Sequence, residues 1–122
     1  MHKKEIFKYC IDSPNSKEDF ESPILAFSGW IVAEPNRSIS EIDLMSDGGD
    51  FRYELKALKR PDVEAVYPGK SCIGFHSAIS ILDIGAGKYK INFKINGESF
   101  YLEIPFMDSI SLARTNFINE KK

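Results

Sequence analysis

No run of apolar residues in this sequence approaches the ~20 needed to cross a bilayer as a helix. Histidine and cysteine are scarce, with two of each. The cysteines, Cys10 and Cys72, have no CxxC spacing and no neighbouring histidine pair, so a zinc site is not expected. A nucleophile-elbow G-x-S-x-G is missing, and so is a glycine-rich phosphate loop leading into a helix. An excess of positive charge is also missing. The net charge is −2, both signs are spread along the chain, and the pairs Lys3-Lys4 and Lys121-Lys122 fall at its two ends. Sequence-independent nucleic-acid binding is therefore not expected. At the N-terminus, Met1-His2-Lys3-Lys4-Glu5 is followed only by Ile6 and Phe7 before Lys8, too short for a secretory core. A cytoplasmic protein with reduced thiols, packed as small hydrophobes, is the expectation.

What is present is bulk for a core. In 122 residues, 43% are apolar, with nine Phe, five Tyr and one Trp. That length suits a single domain that needs neither metal nor disulfide to fold.

The arrangement has period two, the mark of half-buried strands. Tyr89, Ile91, Phe93 and Ile95 alternate with Lys88, Lys90, Asn92 and Lys94. Asn96-Gly97 follows, the pair best suited to a type I′ hairpin turn. The return strand sets Phe100, Leu102 and Ile104 against Ser99, Tyr101 and Glu103. Earlier, Phe51, Tyr53, Leu55 and Ala57 alternate with Arg52, Glu54 and Lys56, and Ile42 and Leu44 with Glu41, Asp43 and Met45. The turn-forming Ser46 to Asp50 between these runs predicts a second hairpin. The near-continuous apolar run Pro23 to Ala33 predicts a central strand covered on both sides. Ile6 to Ile11 predicts a first strand, with a polar connection from Asp12 to Phe20. Phe75, Ser77, Ile79 and Ile81 predict a further strand, ended by Gly85-Ala86-Gly87.

Two stretches break the alternation. Pro61 to Val66 suits a short helical turn closed by Pro68-Gly69, and is expected to be a crossover between sheets near residues 61–67. In the tail, Asp108 is a candidate cap for a helix with Ile110, Ala113 and Phe117 on one face, and Arg114 suits its C-terminal end. The expected architecture is all-β: a two-layer antiparallel sandwich of about seven strands over residues 1–106, with immunoglobulin-like or jelly-roll connectivity. Residues 107–122 are expected to be a C-terminal helix or linker.

Gly29-Trp30, then Arg60-Pro61-Asp62-Val63 with Tyr67-Pro68, then Gly74-Phe75 occur in an ordered series. Together they resemble an accessory β-sandwich module of bacterial surface-polysaccharide assembly, found fused to glycosyltransferase or methyltransferase domains. The likeness covers residues 24–104. It implies a non-catalytic, carbohydrate-binding-like domain without a cofactor, whose partners would be a glycan or such a transferase domain. These 122 residues hold no transferase domain of their own, so the chain is expected to be either an excised fragment or a free-standing version.

Five residues are candidates for ligand contact. Arg60 and Asp62 could hydrogen-bond a sugar, with Tyr67 as a stacking platform. In the competing reading Asp62 satisfies N–H groups of its own turn and Arg60 anchors the crossover. Tyr101, on the polar side of its strand, is a second aromatic platform, and His76 is the better placed histidine. Trp30 is expected in the core. Asp47 and Asp50, flanking Gly48-Gly49, offer carboxylates for Ca²⁺ but lack a full ligand set. Glu18, Asp19 and Glu21 read as a solvated acidic loop. The alternative function is a protein-interaction domain that docks through a sheet edge or the apolar face of the 107–117 helix. Catalysis would need a deep pocket lined by His76, Asp62 and Arg60.

Overall fold

A computed structural model describes residues 7–14, 22–49, 51–84, 87–105 and 107–120. The strands are β1 (Phe7–Ser13), β2 (Ile24–Ala33), β3 (Ile39–Ser46), β4 (Arg52–Glu54), β5 (Lys56–Leu58), β6 (Ser71–Ser80), β7 (Tyr89–Ile95) and β8 (Glu98–Glu103). The helices are α1 (Pro61–Val66) and α2 (Met107–Glu120). One four-stranded sheet has the order β1-β2-β6-β5 and the other β4-β3-β7-β8, with every pairing antiparallel. The fold is the expected two-layer β-sandwich.

The alternations place the core. Phe27, Phe75 and Phe93, with Leu25, Ile31, Leu44, Ile91 and Leu102, are completely buried between the sheets. Burying a side chain of this size contributes about 1.5–3 kcal/mol. Asn96 and Gly97 both have positive φ, 51° and 85°, as a type I′ turn demands. They join β7 to β8 in the register Ile95↔Glu98.

Several expectations need correction. The run 51–57 is not one strand. It pairs with β3 through β4, then leaves that sheet at Leu55 and joins β6 of the other through β5. Tyr53 and Ala57 consequently face solvent, while Leu55 is 2% exposed. The move between sheets is made here, not by α1, which connects two neighbours of the same sheet. β6 begins at Ser71 rather than Phe75, and so takes in Cys72. In β3, Asp43 is buried beside Ile42 and Leu44, because Arg52 holds its carboxylate with Nε at 2.8 Å. A bulge between Ser40 and Asp43, with Glu41 at φ 52°, absorbs the extra residue that brings Ile39 and Ile42 to the same face.

α2 starts at Met107, so Asp108 sits inside its first turn rather than ahead of it. Ile110, Ala113 and Phe117 pack on the core, so the face expected to dock a partner is already occupied. Arg114 donates from Nε to the carbonyl of Ile84 at 2.8 Å, tying α2 to the segment after β6 instead of capping the helix end. No helix among the described residues is long and apolar enough to cross a membrane. Ile6, residues 15–21 with the acidic Glu18, Asp19 and Glu21, Asp50, Gly85-Ala86 and the terminal lysines lie outside the described residues.

Truncation at the pivot should be severe. Leu55→Ala is expected to cost about 2–5 kcal/mol, as for a buried leucine, and Tyr53→Ala, two residues away and exposed, less than ~0.5 kcal/mol. Urea unfolding of the two variants checks the contrast, and equal losses would refute the pivot.

Candidate functional site

Four of the five candidate residues gather on the outer side of the β1-β2-β6-β5 sheet. α1 and its flanks fold back over that side. Gly74 of β6 is the reason they can. A side chain there would run into Arg60 Cγ and come within 3.1 Å of Leu58 Cδ1, so the arginine stem occupies the space over glycine. From that bed Arg60 donates to Asp62 from Nε (3.0 Å) and Nη2 (2.8 Å), and to Asp12 of β1 from Nη1 (2.8 Å). The guanidinium thus bolts the start of α1 to the opposite edge of the sheet. Asp12 is the extra residue of a β1 bulge between Ile11 and Ser13. It escaped the sequence reading, which assigned it to a connection.

The electrostatics follow from that bolt. The Arg60 guanidinium, chiefly, holds the Asp62 carboxyl below the usual carboxylate range, and the N–H groups of Val63 and Asp62 act in the same direction. The arginine is held protonated still more firmly than usual by its bonds to Asp62 and Asp12. Burial raises the Cys10 thiol, helped by the negative charge of Asp12, whose Oδ1 accepts from Sγ at 3.6 Å. Burial, then Glu64, raises Cys72. Both cysteines are free and half-buried on this outer side, less enclosed than expected.

Trp30 is not in the core. It is half-buried on the outer side, paired in register with Cys10 and Gly74, and its ring lies 5.8 Å from that of Tyr67. Tyr67 lines a cleft of about 250 Å³ with Phe7, Val32 and Ala33, the two lysines Lys8 and Lys70, and the carboxylate of Glu34. Lys8 Nζ stands 5.6 Å from the centre of the Tyr67 ring. His76 is exposed on the same outer side, between Ser28 and Lys56. Ser77 points the opposite way, as strand alternation requires, and its Oγ accepts the Lys56 N–H at 2.9 Å. The two cannot form a nucleophile–base pair.

Tyr101 is on the far side of the molecule, the outer side of the β4-β3-β7-β8 sheet. It is 56% exposed, opposite Asn92 in register, with Lys90 Nζ 5.0 Å from its ring centre. It lines an open cleft of about 740 Å³ between the sheet and the first turn of α2, with Lys88, Lys90 and Glu103 on one flank and Asp108 and Ser109 on the other.

Comparison with protein-family models, curated proteins and solved structures finds no match. Among the described residues no group of three or more His, Cys, Asp and Glu is placed to hold a metal ion.

Gly74→Ala and Arg60→Ala should each destabilise by about 1–2 kcal/mol, and the double variant by much less than their sum, because both remove the same bolt. Additive losses in denaturant titrations would show the contacts to be independent. The Asp62 contribution is present above the ordinary carboxylate pKa of ~3.9 and is lost as pH falls through the lowered value. Asp62→Asn should therefore flatten the acid limb of stability against pH. An unchanged limb would contradict the ion pair. Alkylation of Cys10 and Cys72 by iodoacetamide should stay slow at neutral pH and speed up only above the usual thiol range.

Proposed function

We propose that this protein is a non-catalytic accessory module of bacterial glycan assembly, with immunoglobulin-like connectivity, and that it binds carbohydrate in the Tyr101 cleft. The observation that carries the reading is an exposed aromatic paving an open cleft rimmed by charged and hydroxyl groups. A pyranose has C–H bonds on its faces and hydroxyls around its rim. Tyr101 suits the face, and Lys90, Glu103, Asp108 and Ser109 suit the rim, with acceptors and donors both represented. The volume falls in the range of small-molecule sites, roughly 300–1,000 Å³.

Two further features support the wider reading. The strand order β1-β2-β6-β5 against β4-β3-β7-β8 corresponds to the ABED and CFG sheets of immunoglobulin domains, with an added strand beside C. The Arg60-Pro61-Asp62-Val63 and Tyr67-Pro68 pieces that carry the family resemblance form a scaffold here. Arg60 spends its hydrogen bonds on Asp62 and Asp12, and Asp62 accepts from Arg60 with both oxygens, which favours structure over sugar contact for that pair. A glycosyltransferase or methyltransferase domain is the partner the resemblance points to.

Calorimetric titration with bacterial surface oligosaccharides tests the reading. At least one should bind, and Tyr101→Ala should weaken it about tenfold, equivalent to ~1.4 kcal/mol, without altering the circular dichroism spectrum. Absence of binding to any bacterial polysaccharide at millimolar concentration, or full affinity in the Tyr101→Ala variant, would count against it.

A further inference from the structure

The cleft at Tyr67 lies on the other sheet from Tyr101, and its chemistry is different. We propose that it is a second binding site, for a sugar ring that carries a negative charge. Its floor is apolar: Val32 and Ala33 are buried, and Phe7 packs against the core. Tyr67 forms a wall, held on one side by Trp30 at 5.8 Å and by its backbone N–H, which donates to the carbonyl of Val63 at 3.0 Å. Lys70 and Glu34 both line the cleft and neutralise each other at 3.0 Å. Lys8 has no such carboxylate among the described residues, and its ammonium stands over the Tyr67 ring. Among the described residues the cleft, with two lysines and one glutamate in its lining, therefore presents one net positive charge beside an aromatic ring and an apolar floor.

That combination selects a ligand class. A neutral sugar gains the ring contact but not the charge. A free inorganic anion gains the charge but leaves the apolar floor in contact with water. A sugar bearing a carboxylate or a phosphate uses all three, with its anionic group displacing the ammonium from the ring face to pair with it. The volume of about 250 Å³ restricts the site to a single residue of a chain or its end. None of the groups invoked lies in the Tyr101 cleft, so this site stands whether or not that one binds glycan.

The protein has its own reporter, because its single tryptophan is the one in contact with Tyr67. Trp30 emission is titrated with glucuronate, glucose 1-phosphate and glucose, each to 20 mM or about that order, a range reaching the weak-affinity end of the binding scale, at matched ionic strength. A saturable change with glucuronate, glucose 1-phosphate or both, and at least about fivefold weaker with glucose, is expected; which anion responds tells carboxylate from phosphate. Lys8→Gln should erase the preference for the charged sugar, and Tyr101→Ala should leave the titration unchanged. No saturable change with either anion, an equal response to glucose, or an undiminished preference in the Lys8→Gln protein would overturn the proposal. Lys8 is exposed, so folding of that variant is not at issue.

Discussion

The outer side of the β1-β2-β6-β5 sheet depends on the chain changing sheets at Leu55. β4 and β5 are three residues each, separated by that single buried side chain, and they belong to different layers. The backbone stays in register with the first sheet there, since the Leu55 N–H donates to the Ile42 carbonyl at 2.8 Å. Two partners then compete for one short extended segment, and the buried leucine sets where the exchange falls. Because β5 is an edge strand beside β6, the connection that follows has room only on the outer side of the sheet. That places α1 over Gly74, brings Arg60 to Asp12, and sets Tyr67 against Trp30.

The two outer sides differ for the same reason. One is roofed by α1 and contains aromatic, thiol and aliphatic side chains beneath it, with Val63 buried outside the main core. The other has no such helical roof among the described residues and is polar, with Asp43 sunk under Arg52, Lys94 paired with Glu41 at 3.0 Å, and Tyr101 standing in the open. Surface ion pairs of this kind contribute little stability, typically about 0–1 kcal/mol. Their larger effect is to settle which charges remain available to a ligand. Glu34 takes up Lys70 and Asp62 takes up Arg60, whereas Lys8 and Lys90 rest on tyrosine rings, interactions that an anion can replace.

Strand identity and the β7–β8 hairpin were legible because period-two alternation and Asn96-Gly97 each follow from local rules. The break at Leu55 was not, since a strand that crosses between layers keeps its alternation: Phe51 and Leu55 face inward as the pattern demands, and only the exposure of Tyr53 and Ala57 betrays the exchange. Trp30 was misplaced for a related reason. In a run apolar on both sides, nothing in the residues says which side meets the core and which meets α1. The bolt was half legible. Arg60 and Asp62 stood out as a polar pair, but Asp12, 48 residues from Arg60 in sequence, could be found only once β1 was beside β2.

Gly29 and Gly74 show how little separates scaffold from site. Each faces a neighbour that needs its missing side chain, the Cys10 carbonyl and the Phe75 ring in one case and the Arg60 stem in the other. Gly29 lets β1 close onto the core and Gly74 lets the β5–α1–β6 connection close onto the sheet, so together they draw β1 and α1 to the same sheet. Tyr67 and Lys8 meet at the end of that seam, one from each side. An aromatic wall fixed by a scaffold loses little freedom when a ligand arrives, and that preorganisation favours binding in a cleft too small to bury much area. If the Tyr67 cleft binds as proposed, the other residues of the Arg60 to Pro68 connection act on it indirectly, by holding Tyr67 still.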